Sequence, residues 1–240
     1  MILHTSIQGN GEPIVFIHTG LQTGLTDFEY QRDFFQSHYQ VISPDLRGHG
    51  QSVVSNCSNY FDESANDLLE TFKHLGIDSA HIVGGSLGAL VAIIFSKTYP
   101  EKVKSLTISG VIPLKPSEWQ EIHRKEVEQQ THLLKNEEVT AYFNQIHMGD
   151  WRELLLTTQD PAWYPFQKIK DIHSLKMPIL CIVGEGKREE VEGACYYQER
   201  NSNVHIAVVP FAAHLVQDEQ PDIYTRILES FLMKYENRKI

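Results

Sequence analysis

The stretch His81-Ile82-Val83-Gly84-Gly85-Ser86-Leu87-Gly88-Ala89-Leu90-Val91-Ala92-Ile93-Ile94-Phe95 passes from a β-branched run, through a turn of small residues, into an apolar helical pattern that continues to about Thr98. Read as strand, sharp turn and helix, it puts Ser86 at the apex of a Gly-x-Ser-x-Gly pattern. A serine held on such a turn sits in strained backbone, with its hydroxyl projecting above the sheet. Its neighbours must be small because strand and helix approach closely there. The helix N-terminus then faces any negative charge that develops nearby, and the Leu87 N–H can donate to it. From Ile82 to Phe95 the run is too short to cross a bilayer and is broken by its glycines.

Outward from this segment the chain keeps alternating short β-branched runs with helical patterns, the mark of an α/β fold with a mostly parallel central sheet flanked by helices. Ile2 to Ile7 and Pro13 to Ile17 read as strands joined by the turn Gly9-Asn10-Gly11, which predicts an antiparallel hairpin. Asp27 to Gln36 reads as a helix and Tyr39 to Ser43 as a strand. Ala65, Leu68, Leu69, Phe72 and Leu75 recur at helical spacing within Asp62 to Leu75, and Gly76 ends that helix. Val103 to Ser109, Ile179 to Val183 and Val204 to Val209 read as buried strands, and Asp222 to Lys234 as a closing helix. Residues 113–175 differ: Glu121 to Lys135 and Glu137 to Ile146 are helical and polar, with no β-rich run. The expected organisation is a sheet domain of residues 1–112 and 176–240 carrying a helical insertion at 113–175.

With 240 residues, 41% of them hydrophobic, the chain can bury a core without metal or disulfide staples. A net charge of −10 argues against nucleic acid or anionic lipid as a partner, since both call for a basic face. Cys57, Cys181 and Cys195 are widely spaced and without a Cys-x-x-Cys, so the expectation is reduced thiols in a cytoplasmic protein. The start, Met1 to Ser6, lacks the basic and apolar regions of a signal peptide. No spacing of the histidines with acids resembles a metal site.

From about Glu12 to Pro221 the chain resembles the α/β-hydrolase superfamily, in its small, lid-bearing bacterial branch. Four motifs carry the resemblance, in order. Ile14-Val15-Phe16-Ile17-His18-Thr19-Gly20 resembles the strand and His-Gly turn that supply half of an oxyanion hole, with Thr19 where glycine is usual. The resemblance implies Gly20 as a donor there, with Leu21 its neighbour. Ser43-Pro44-Asp45-Leu46-Arg47-Gly48-His49-Gly50-Gln51-Ser52 resembles the structural Pro-Asp-x-Arg-Gly-x-Gly-x-Ser loop. The Ser86 turn is the third motif, the nucleophile elbow. The fourth is Ala213-His214 with Glu219-Gln220-Pro221, like the family's Gly-His-x-x-x-x-Glu-x-Pro. His18 and His49 lie in tight turns where imidazoles commonly satisfy backbone groups, so neither is read as a general base.

A serine hydroxyl is a weak nucleophile until a base takes its proton, and His214, after the last strand, is the candidate. The family's acid follows a late strand, and here Pro178-Ile179-Leu180-Cys181-Ile182-Val183-Gly184-Glu185-Gly186 resembles that strand. Lys187 stands at the acid position and cannot accept an imidazole N–H. A shifted loop would bring in Glu185, Glu189 or Glu190, of which Glu185 and Glu189 are favoured. The end of the Val103–Ser109 strand offers no carboxylate before Glu118, and a bare Ser–His pair is the remaining possibility.

The resemblance implies a cofactor-independent serine hydrolase without a metal, acting on a small carboxylic ester or related acyl group. Hydrolysis of a C–C bond, elimination or thioester cleavage would use the same machinery. Dehalogenases and epoxide hydrolases of this fold place Asp where Ser86 stands. Lys187 keeps alive a reading as a non-catalytic ligand binder. The insertion carries Trp119, Tyr142, Phe143, Trp151, Trp163, Tyr164 and Phe166, expected mostly to pack its helices, with one or two rings lining a pocket. Sequence leaves the substrate and the oligomeric state open.

Overall fold

The computed structural model describes residues 1–235. Among these, seven strands form one sheet: β1 (Thr5–Gln8), β2 (Glu12–Ile17), β3 (Tyr39–Pro44), β4 (Ala80–Gly85), β5 (Val103–Ser109), β6 (Ile179–Gly184) and β7 (Val204–Val209). Their spatial order is β1-β3-β2-β4-β5-β6-β7, and every pairing is parallel except that of β1 with β3. The helices are α1 (Glu29–Phe35), α2 (Tyr60–Leu75), α3 (Leu87–Thr98), α4 (Trp119–Lys135), α5 (Glu137–Ile146), α6 (Trp151–Thr158), α7 (Phe166–Ile169), α8 (Arg188–Arg200), α9 (Val216–Glu219) and α10 (Pro221–Tyr235).

The central strands are covered on both faces, which is why they read as continuous apolar runs. Strand β7, read as buried, lies at the sheet edge, half-buried over 205–207 and exposed at Val208. Side chains alternate between two core layers along each strand. Val15 and Ile17 pack with Leu68 of α2 and Leu90 of α3, whereas Ile14 and Phe16 pack with Phe35 of α1 and Leu228 of α10. Helix α3 is apolar on nearly every side because it lies between the sheet and α2, and its residues 87–96 are all buried. Four helices, α4 to α7, are inserted between β5 and β6. Phe143, Trp151 and Leu155 form their own small core, against which Leu133, Leu134 and Val139 pack. Among the described residues no helix is long and apolar enough to cross a membrane.

Two further expectations are corrected. The first two strands do not form a hairpin: β1 runs antiparallel to β3, and β3 lies between β1 and β2. The linking turn must therefore cross the entry to β3. Gly9 and Gly11 do this at φ 69° and 128°. A Cβ on Gly9 would come 2.2 Å from the Gln36 carbonyl oxygen and 2.4 Å from that of Tyr39. The second concerns Glu189 and Glu190, expected on a shifted loop after β6, which lie on the thirteen-residue helix α8. That helix decides where the acidic side chains of the region point.

Candidate active site

Loops at the carboxyl ends of β2, β4, β5, β6 and β7 meet above one edge of the sheet, the position where α/β sheets hold their ligands. Ser86 stands between β4 and α3 at φ 48°, ψ −114°, a conformation outside the ordinary regions for a side-chain-bearing residue. Its N–H donates to the Ser109 carbonyl at the end of β5 (2.9 Å). The flanking glycines make the turn possible. A Cβ on Gly88 would lie 2.1 Å from the Ile17 carbonyl oxygen, and one on Gly84 would lie 2.6 Å from that of Gly88.

His214 lies just beyond β7. Its Nε2 is 3.0 Å from Ser86 Oγ, and its Nδ1 is 2.6 Å from Glu190 Oε1. The imidazole side chain is 39% exposed and the carboxylate 4%, so the imidazole is accessible to solvent while the carboxylate is sealed behind it. Glu190 belongs to the first turn of α8, on a buried stripe with Gly193, Ala194 and Tyr197. Those residues recur at i, i+3, i+4 and i+7, the spacing of one helix face. Glu189, one position earlier, is turned away by about 100° and is exposed. Glu185 precedes the helix and accepts the Phe211 N–H through Oε1 (2.8 Å). Neither of the two favoured glutamates therefore reaches the imidazole, and Glu190 does.

Lys187 is the exposed residue that precedes α8. On the exposed side of α4, partial desolvation raises the Glu126 carboxyl above its ordinary range, against the pull of His123, His214 and Lys187. A residue missed in the sequence closes the site from below. Gly110, following β5, has φ +68°, and a Cβ there would lie 2.8 Å from His214 Cε1 and 3.3 Å from Ser86 Cα. The signal for it was a glycine at the carboxyl end of a strand beside the one bearing Ser86.

Gly20 is brought beside Leu87: a Cβ on Gly20 would lie 4.0 Å from the Leu87 Cβ. The neighbouring N–H groups are committed elsewhere, Thr19 to Asp27 Oδ2 (2.6 Å) and Leu21 to His49 Nε2 (3.3 Å). His18 and His49 both hold backbone groups. Among the described residues no three His, Cys, Asp or Glu side chains converge to hold a metal ion. Most rings of the insertion pack on one another or on α2: Trp119 on Tyr164 and Phe166, Phe143 on Trp151, Trp163 on Tyr60 and Phe61.

Residues 12–204 match a sequence family described as the alpha/beta hydrolase fold. The chain belongs to this family. It is 30% identical over 144 residues to (E)-2-((N-methylformamido)methylene)succinate hydrolase of Acinetobacter baylyi, covering 59% of this chain and 54% of that protein. The chain spans about half or less of the length of the curated relatives it matches. Among solved structures this alpha/beta hydrolase is similar to NosK of Streptomyces actuosus, with a TM-score of 0.82 at 22% identity, covering 94% of this chain and 99% of the other. It is also similar to a thermophilic esterase of Thermogutta terrifontis, with a TM-score of 0.68 at 21% identity over 97% and 93% of the two chains. At these identities the likeness is one of fold. Within that fold, this member carries its buried carboxylate on the first turn of α8.

Proposed function

We propose that the protein is a serine hydrolase of small carboxylic esters, with Ser86 as nucleophile, His214 as general base and Glu190 as the acid that orients it. The observation that carries the reading is one imidazole bridging the two others, 3.0 Å from Ser86 Oγ and 2.6 Å from Glu190 Oε1. Glu190 accepts the Nδ1–H, which leaves Nε2 as the lone pair facing the hydroxyl.

The Ser86 oxygen attacks the ester carbonyl as its proton passes to His214 Nε2, and the buried carboxylate stabilises the imidazolium that forms. The carbonyl oxygen takes up the negative charge and accepts hydrogen bonds from the N–H groups of Gly20 and Leu87 at the N-terminus of α3. Collapse breaks the C–O bond, and the departing alkoxide takes the proton from Nε2. Water repeats the sequence on the acyl-enzyme, with His214 again as base, and frees the acid and Ser86.

Helices α4 to α7, inserted where the strand edge opens, act as the lid over this cleft. Lys187 favours a pure binder only if no carboxylate reaches the imidazole, and Glu190, three residues later, reaches it. The test is hydrolysis of p-nitrophenyl esters of increasing chain length, with Ser86→Ala as control, beside labelling by a fluorophosphonate. Turnover and labelling that both vanish in Ser86→Ala support the proposal. Absence of both in the unaltered protein sinks it.

A further inference from the structure

Three consecutive peptide planes of the loop after β2 are each held by a different histidine. In the Thr19–Gly20 plane, the Thr19 carbonyl accepts His18 Nδ1–H (2.8 Å). In the Gly20–Leu21 plane, the Leu21 N–H donates to His49 Nε2 (3.3 Å). In the Leu21–Gln22 plane, the Leu21 carbonyl accepts His147 Nε2–H (2.9 Å). A trans peptide points its N–H opposite its carbonyl, so fixing these planes fixes the direction of the Gly20 N–H.

Each ring has one donor and one acceptor partner, which sets its tautomer. His18 Nε2 accepts the Leu46 N–H (2.9 Å), His49 Nδ1 donates to the Arg47 carbonyl (3.2 Å), and His147 Nδ1 accepts the Gly50 N–H (2.7 Å). The rings adjoin one another, with centroids 4.8 Å apart for His18 and His49 and 5.7 Å for His49 and His147. His18 and His49 come from the sheet domain. His147 ends α5 in the inserted helices, 126 residues from Leu21 in sequence, and is 4% exposed. The adjoining Met148 N–H donates to the Gly50 carbonyl (2.8 Å), so this one corner of the insertion grips both the Gly50 turn and the loop after β2. Leu21 itself packs against the core of Phe143, Trp151 and Leu155.

We propose that His147 is a positioning residue for the oxyanion-binding N–H of Gly20, acting through the Leu21 carbonyl and the Gly50 N–H, so that the inserted helices complete the oxyanion hole as well as covering the cleft. The proposal rests on the serine-hydrolase reading above. A misdirected donor costs transition-state stabilisation while leaving ground-state binding nearly intact. Phenylalanine at 147 keeps the ring, which stacks near Phe143 (centroids 6.0 Å), but removes both hydrogen bonds. Glutamine restores one acceptor and one donor at a spacing much like that of the ring nitrogens.

The experiment compares the unaltered protein, His147→Phe and His147→Gln in two measurements on the full chain. With a p-nitrophenyl ester, His147→Phe is expected to lose about 10- to 100-fold in kcat with KM within roughly threefold, less than loss of a whole oxyanion donor. His147→Gln recovers most of that loss. By amide hydrogen exchange, residues 19–24 and 47–52 exchange faster in His147→Phe and return toward the unaltered rate in His147→Gln. His147→Leu replaces the phenylalanine variant if the latter does not fold. Unchanged exchange, unchanged kcat, or a fall in kcat that glutamine does not recover overturns the proposal. If the unaltered protein shows no Ser86-dependent turnover, the hydrolase reading fails, and with it the catalytic half of this one. The exchange comparison then decides separately whether His147 holds the loop.

Discussion

Glu190 meets His214 from a helix, with Oε1 2.6 Å from Nδ1, and not from the loop that leaves β6. The carboxylate sits on the first turn of α8, where the free N–H groups of the helix start favour negative charge. Lys187 occupies the corner at which the family resemblance places the acid. The helix carries the missing carboxylate to the imidazole one turn further on.

Replacing that carboxylate by an amide tests the assignment. Glu190→Gln keeps shape and volume but can present an NH₂ to Nδ1, which turns the imidazole to the tautomer whose Nε2 already carries a proton. Loss of the orienting acid costs up to about 10⁴-fold in kcat in serine hydrolases of known mechanism, so a fall of roughly 10²- to 10⁴-fold is expected here. Glu189→Gln, on the exposed face of the same turn, should leave kcat within about twofold. Steady-state kinetics on the three proteins decide, and equal losses in both variants would remove Glu190 from the proposed role.

How much of this was legible in the sequence depends on how local the determinant is. Gly84, Ser86 and Gly88 lie within five residues, and their constraint is the close approach of one strand to the next helix. Pattern alone therefore located the serine, as the strand-turn-histidine at 207–214 located its partner in space. The hairpin failed because strand order is set by long-range pairing, and two strands adjacent in sequence do not reveal that a third lies between them. Glu190 was readable in principle. It heads the stripe Glu190, Gly193, Ala194, Tyr197, and a carboxylate on the buried face of a helix calls for a partner. His147 was not readable, because its contacts with Gly50 and Leu21 lie 97 and 126 residues away.

Gly110 is expected to tolerate no side chain. Its φ of +68° costs an alanine about 1–2 kcal/mol. The new Cβ would also press on His214 Cε1 from 2.8 Å, so the imidazole must move away from Ser86. Gly110→Ala should lower Tm by about 2–8 °C and kcat by at least roughly tenfold. Thermal unfolding and ester kinetics on the same preparation check both. A variant as active as its parent would show that the site accommodates the methyl group.

Phe211 offers the opposite substitution. It holds φ 60° three residues before His214 while the residue is 83% exposed, so it spends backbone strain without burying its ring. Asparagine adopts this left-handed conformation far more readily. Phe211→Asn keeps the N–H that Glu185 accepts and should raise stability by about 0.5–1 kcal/mol, or roughly 1–4 °C in Tm. A fall in Tm would mean that the ring makes contacts worth more than the strain.

The three histidines that hold the loop after β2 also set a pH dependence of stability. Burial lowers the affinity of His18, His49 and His147 for a proton, and at His49 the two neighbouring rings lower it further. Asp27 and Asp45 near His18, and Asp45 near His147, pull the other way without cancelling the effect. Below about pH 6.5, the ordinary value for histidine, the unfolded chain therefore binds protons that the folded one refuses. Stability is fully present above that pH and declines as pH falls toward the lowered folded values, by at most about 1.4 kcal/mol per pH unit for each histidine. His81, buried at the far end of the sheet, adds to the same slope. Asp218 opposes it, because partial desolvation beside the like charges of Asp27 and Glu219 raises its carboxyl to about 6, making ionisation the less favoured state when folded. Tm should thus fall between pH 6.5 and 5, and the fall should be shallower in His147→Gln, which has one such histidine fewer. A Tm that stays level over this interval, or a glutamine variant with an unchanged slope, would show that protonation of His147 is not linked to unfolding.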